Sequence, residues 1–119
     1  MPEAPSDLDA VARECWDELV PMLYAMRVLS LVDRKMLEAG CIAYSEMKSA
    51  RKTVLSLGAT YEAETATGTI VRARPEVAQG ADAWRRFKHF LCEYGLTAAS
   101  RSRVVAAPVS DNETKADFA

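Results

Sequence analysis

The stretch Leu31–Gly58, LVDRKMLEAGCIAYSEMKSARKTVLSLG, decides the fold. Apolar and small residues recur at Met36, Gly40, Ala43, Met47, Ala50, Val54 and Leu57, in steps of four and three. That is a heptad seam, the pattern of a helix lying along another helix. No proline interrupts it. Ser30 or Asp33 can cap its start, and Gly58 can take the left-handed conformation in which helices commonly end. The spacing predicts one helix from Leu31 to Leu57, about 40 Å long at the usual rise per residue. Gly40, Ala43 and Ala50 are small enough to admit a close neighbour. The first helix of the chain can fill that seam, and so can another subunit. The second reading assigns Gly40, Ala43, Met47, Ala50 and Val54 to an oligomer interface.

Upstream, residues 1–5 are proline-bearing and expected to fray. Ser6 is the expected N-cap of a first helix, with Asp7 and Asp9 in its first turn, where carboxylates suit the helix dipole. Leu8, Val11, Cys15, Trp16, Leu19, Leu23 and Met26 then recur at helical steps. Pro21 lies inside this run and predicts a kink or a break near Val20. Downstream, helical period fails in ATYEAETATGTIVRARP, residues 59–75. Two strands, Tyr61–Thr65 and Thr69–Arg74, are expected around the loop Ala66-Thr67-Gly68, with Gly68 in the left-handed position. That register sets Thr65 against Thr69 and Glu62 against Arg72. A lone hairpin is marginal in water, so this one is expected to pack on its own helices or on a neighbour.

A third helix is expected from Glu76 to Tyr94. Its apolar face is Val77, Ala81, Trp84, Phe87, Leu91 and Tyr94; Asp82, Arg85, Arg86, His89 and Glu93 lie opposite. Gly95 stops it. Thr97 caps a short fourth helix near Ala98–Val105, and the polar tail 107–119 is expected to be flexible. The chain reads as one mainly α domain over residues 6–106: a helical hairpin with one long helix, a β-hairpin at about 60–74, an aromatic helix and a short C-terminal helix.

The chain has 119 residues, of which 50 % are hydrophobic, and a formal net charge of −2. The basic charge is local. Residues 72–103 carry seven basic and three acidic side chains, whereas residues 1–50 carry five and nine. The three cysteines (Cys15, Cys41 and Cys92) form no C-x-x-C and no even-numbered disulfide framework. No membrane span and no signal segment are expected.

No phosphate-cradling glycine loop or H-E-x-x-H motif is present, so neither enzyme activity nor a cofactor is expected. His89 and Cys92 stand one helical turn apart, but a thiol–imidazole pair needs a third group to orient it. Cys92 reads more simply as core and His89 as solvated surface. Glu62 and Glu64 share a strand face that could bind a divalent ion, or could simply be solvated. Trp16 and Trp84 read as core anchors, and the methionines Met22, Met26, Met36 and Met47 as core filling. Three basic groups remain: Lys48, Arg51 and Lys52; Arg85, Arg86 and His89; Arg101 and Arg103. Each can be a plain solvated face or a set of phosphate contacts. The DNA reading selects Arg51, Lys52, Arg85, Arg86, Arg101 and Arg103. Arg101 has a structural alternative, bonding carbonyls at the Gly95 break.

Residues 95–104, GLTAASRSRV, resemble the GLTPxSR ending of a family of phage terminase small subunits. The other elements agree in order: ARECWDELVPML in a first helix, VDRKML opening the long one, a Gly-tipped hairpin closing on Arg74-Pro75, and an aromatic third helix. The resemblance covers roughly residues 8–105. Ala98 stands where the family often has proline, which pre-sets a helix start. The resemblance implies a non-catalytic subunit acting in the host cytoplasm. It implies a homo-oligomeric ring of roughly eight to twelve copies with closed symmetry. Its partners would be viral double-stranded DNA, bound near the packaging start site, and the large terminase subunit, which carries the ATPase and nuclease. The competing reading is a helix-turn-helix transcriptional regulator binding as a dimer.

Overall fold

The computed structural model describes residues 1–29 and 33–97. Three helices and one antiparallel hairpin follow in the order α1 (Ala10–Ala25), α2 (Arg34–Leu57), β1 (Thr60–Thr65), β2 (Gly68–Ala73) and α3 (Pro75–Glu93). Ser30, the proposed helix start at Leu31, the fourth helix with Ala98, Arg101 and Arg103, and the tail lie outside the described residues.

The cap of α1 is Asp9, not Ser6. The Asp9 carboxylate accepts the Ala12 amide at 2.9 Å and the Ser45 hydroxyl of α2 at 2.8 Å, so one side chain starts α1 and ties it to α2. These bonds hold its pKa below the ordinary carboxylate value, the Ala12 amide contributing most. Asp9→Ala should cost about 1–2 kcal/mol at neutral pH. The folded pKa is depressed, so this contribution is whole above the ordinary carboxylate range and is lost as pH falls through the folded value. Urea midpoints of wild type and variant should therefore differ at pH 7 and converge as the pH falls through the lowered folded value.

Helix α1 runs through Pro21 to Ala25 without the expected break. Pro21 is exposed, while Val20 and Leu23 on either side of it are buried, so packing holds the last turn. The helix ends on Arg27 at φ 60, with the Val28 amide donating to the Leu23 carbonyl and the Arg27 amide to that of Tyr24. Helix α3 ends the same way. Gly95 has φ 69, and Leu96 and Gly95 donate to Leu91 and Cys92. Both closures are Schellman motifs, and at Gly95 the sequence expectation holds. Before α1, Pro5 is buried and Ala4 packs on the core.

Helix α2 is central, and α3 runs antiparallel along its seam. A Cβ on Gly40 would meet the Phe90 ring, and one on Gly80 would meet the Ala50 Cβ. Gly40, Ala43 and Ala50 are therefore buried inside the protomer, with Met47 and Val54 half-buried. The chain's own third helix fills the seam along Gly40, Ala43 and Ala50. The matching line on α3 is Gly80, Ala83, Phe87, Phe90 and Tyr94, again in steps of three and four. Its rings are contiguous, with Tyr44–Phe87 and Phe90–Tyr94 centroids each 5.1 Å apart. The expected α3 face was one residue out of phase. Phe87 and Tyr94 belong to the buried line, but Trp84 is 47 % exposed and Val77 is exposed too. Trp84 is not a core anchor, and Met22 and Met36 are likewise exposed.

Helix α1 covers the opposite side of α2, where Cys15 and Cys41 meet in the core with Trp16 and Leu23. The hydrogen bond to Cys15 and burial push the Cys41 thiol up, so it stays protonated. At the far end of α2, the Tyr94 hydroxyl donates to Asp33 at 2.8 Å. Asp33 thus uses its side chain to hold the end of α3, not to cap α2 as expected.

The hairpin pairs Thr65 with Gly68, Tyr61 with Arg72 and Glu62 with Val71. The register is one residue off the expectation, because Gly68, at φ 131, begins β2 and leaves only Ala66 and Thr67 as the loop. A one-residue slip turns every later side chain to the other face. Arg72 therefore leaves Glu62 and opposes Tyr61. Arg74 anchors the hairpin base: its amide donates to Ala59 at 2.9 Å, and its guanidinium reaches the Leu57 carbonyl at the end of α2.

Candidate nucleic-acid interface

The α2–α3 seam divides this helical hairpin into two flanks. Residues one position before the seam residues fall on one flank: Glu46, Ser49 and Thr53 of α2, with Gln79, Asp82, Arg86, His89 and Glu93 of α3. Residues one position after fall on the other: Tyr44, Lys48, Arg51 and Leu55, with Val77, Ala81, Trp84 and Lys88. Helical spacing places them so. The Arg86–Glu46 ion pair, which crosses from α3 to α2, shows that like positions share a flank in this antiparallel pair.

Charge follows the division. The first flank holds carboxylates and their partners. Arg86 bonds Glu46 and Asp82, which together hold its guanidinium firmly protonated, and His89 lies 3.6 Å from Glu93. Arg86 braces two helices, and its charge is already met. The second flank carries Lys48, Arg51 and Lys88 and no carboxylate. Lys48 lies over the Tyr44 ring at 5.6 Å. Lys52 borders this flank one turn from Lys48, and Arg85 borders it beside Trp84; Arg85 has one loose contact, to Asp82 at 3.6 Å.

The six residues expected to contact DNA are thus not one surface. Arg51 and Lys52 stand together on α2, exposed. Arg85 lies on the outer side of α3, Arg86 on the opposite flank, and Arg101 and Arg103 outside the described residues. Lys48 and Lys88 complete the basic flank. Lys48 was legible in the sequence as the i−3 neighbour of Arg51; Lys88 was not, because its place depends on the rotation of α3.

The residues weighed as catalytic candidates have other partners. His89 pairs with Glu93, while the Cys92 thiol lies 3.9 Å from the Thr97 hydroxyl. Glu64 accepts the Thr69 hydroxyl across the strands. Among the described residues no cluster of three or more potential ligands could hold a metal ion, and no helix is long and apolar enough to cross a membrane.

The family model described as phage terminase, small subunit, matches residues 12–111, a span that runs from the first turn of α1 past the end of α3. No curated protein and no solved structure matches the chain. With most of its length covered by that one model, the chain belongs to the phage terminase small subunit family.

Proposed function

We propose that this chain is the DNA-recognition subunit of a phage packaging motor. Several copies form a ring of roughly eight to twelve subunits, the closed symmetry expected of repeated identical contacts. The ring binds viral double-stranded DNA where packaging begins and brings the large terminase subunit, with its ATPase and nuclease, to that site. The subunit itself is not catalytic and acts in the host cytoplasm.

The observation that carries the DNA part is the sorting of charge. Lys48, Arg51 and Lys52 form a stripe on α2 that faces no carboxylate on its flank, whereas Glu46, Asp82 and Glu93 gather on the other. Such a stripe meets phosphates without reading bases. One stripe binds weakly; repeated around a ring it gains by avidity. Arg101 and Arg103 extend the basic set. A helix-turn-helix regulator fits less well. α2 is 24 residues long and covered on two sides, whereas a recognition helix offers a free face to the major groove.

Native mass measurement with and without duplex DNA tests the proposal. The expected result is a closed oligomer that takes up duplex, with affinity falling linearly in log–log dependence on salt. A monomer at tens of micromolar, or binding indifferent to salt, overturns it.

A further inference from the structure

Two surfaces of the protomer are apolar, bare and oppositely charged. The first is the α3 part of the basic flank, where Val77 and Trp84 are exposed next to Lys88 and the bordering Arg85. The second is the β-hairpin. None of its strand residues is buried, and Tyr61, Ile70 and Val71 are all exposed. The observed register puts Glu62 opposite Val71 and Glu64 opposite Thr69, so both carboxylates share one face with Val71, while Arg72 faces the other way with Tyr61. Neither carboxylate forms an ion pair among the described residues. A lone two-stranded hairpin is marginal in water, and the Glu62–Glu64–Val71 face of this one is uncovered, so it needs a cover.

We propose that the Glu62–Glu64–Val71 face of the hairpin docks on the Val77–Trp84 strip of a second copy of this chain. Val71 meets the indole, and the two carboxylates meet Arg85 and Lys88. The occupant follows from complementarity in both charge and apolarity: the hairpin face is acidic around one valine, and the α3 strip is basic around one tryptophan. Like charges would repel if either surface met its own kind. The contact is heterologous, because two different surfaces meet, and a heterologous contact either closes a ring or propagates. The inference rests on the oligomeric reading above and names the surface that makes the oligomer. It assigns Arg85 and Lys88 to the subunit contact and the α2 stripe Lys48, Arg51 and Lys52 to phosphate.

Charge exchange tests it on the full chain. Glu62→Lys with Glu64→Lys makes one variant, and Arg85→Glu with Lys88→Glu makes the other. Each alone should fall to smaller species in native mass measurements while far-UV circular dichroism stays that of wild type. An equal mixture of the two should reassemble, since each hairpin then finds a flank of opposite charge. Trp84→Ala should raise the dissociation constant by at least about 30-fold, the loss typical of an aromatic anchor. Trp16 is buried within the protomer, so a fluorescence shift on dilution of wild type reports Trp84. Wild-type oligomer with variants that assemble equally well overturns this interface alone. A wild type that stays monomeric overturns the oligomeric reading and the interface together. Variants that dissociate but fail to reassemble when mixed overturn the pairing of these two surfaces.

Discussion

Gly40→Val should lower the stability of the fold by about 3–5 kcal/mol. An ordinary glycine inside a helix costs about 1 kcal/mol relative to alanine, so replacing it usually stabilises. At Gly40 the added Cβ would stand 2.5–2.7 Å from three carbons of the Phe90 ring, Cγ among them. Carbon atoms settle at about 3.5–4.0 Å, so roughly 1 Å of separation must be found. The ring cannot supply it. Its Cγ is rooted close to the α3 backbone, and the ring is flanked by Phe87 at 6.1 Å and Tyr94 at 5.1 Å. The helices must move apart, which loosens the seam from Gly40 to Ala50. One methyl of overpacking costs about 1–3 kcal/mol, which exceeds the propensity gain, so Gly40→Ala should already lower stability. Valine adds two more carbons and a β-branch, for a loss of about 3–5 kcal/mol, a large fraction of the roughly 5–15 kcal/mol that holds a domain folded. Gly80→Ala is the control. Its Cβ would meet the Ala50 Cβ at 3.2 Å, a gap two small side chains can open with a slight shift, so the effect should be near neutral. Phe90→Leu should partly restore Gly40→Ala. Urea unfolding followed by circular dichroism reads all four, and equal tolerance at Gly40 and Gly80 would refute the packing argument.

The same seam shows what the sequence could and could not convey. Its spacing made α2 visible almost to the residue at its C-terminal end, and Gly58, Gly68 and Gly95 all take the positive φ expected of them. These are local signals, and local backbone chemistry decides them. What the seam would meet was not local. α3 carries two apolar lines one residue apart, one with Val77 and Trp84, the other with Phe87 and Phe90. Periodicity scores them nearly alike. Fit decides between them: Gly40 makes room for the Phe90 ring and Gly80 lies against the small Ala50, and only the second line offers Gly80 and Ala83 together with the rings. The hairpin failed for a similar reason. Its strands and its glycine were legible, but loops of two and three residues use the same letters, and a slip of one turns Arg72 away from Glu62.

The candidate site followed the same rule. Arg51 and Lys52 were identifiable because they sit one turn from Lys48 on one helix. Arg86 carries the same charge and shares a helix with Arg85, yet it lies on the other flank with Glu46 and Asp82. The Glu46–Arg86 contact joins residues forty apart in sequence, and no spacing rule announces it. Where a basic residue points is a matter of helix rotation, and rotation is set by packing.

That difference yields the second large effect. Arg51→Glu with Lys52→Glu should reduce duplex affinity by at least about 30-fold per engaged protomer at about 0.15 M salt. Each phosphate contact contributes about 0.9 to the log–log salt slope on duplex DNA, so losing two amounts to about 1.5 decades at that concentration. Reversal adds repulsion to the loss, and the effect multiplies over the protomers that touch one duplex, because linked sites act together. The salt slope itself should flatten by about 1.8 for each such protomer. Folding should be untouched, since both side chains are exposed and neither appears in an ion pair among the described residues. Arg86→Ala should behave in the opposite way: affinity for duplex nearly unchanged, stability lowered by about 1 kcal/mol, because Glu46 and Asp82 then crowd one flank without their cation. Fluorescence anisotropy on a labelled duplex across a salt series, beside urea midpoints for the same variants, separates the two roles. If Arg86→Ala abolished DNA binding while Arg51→Glu with Lys52→Glu left it intact, the phosphate-binding surface would lie on the acidic flank and the charge-sorting argument would be wrong.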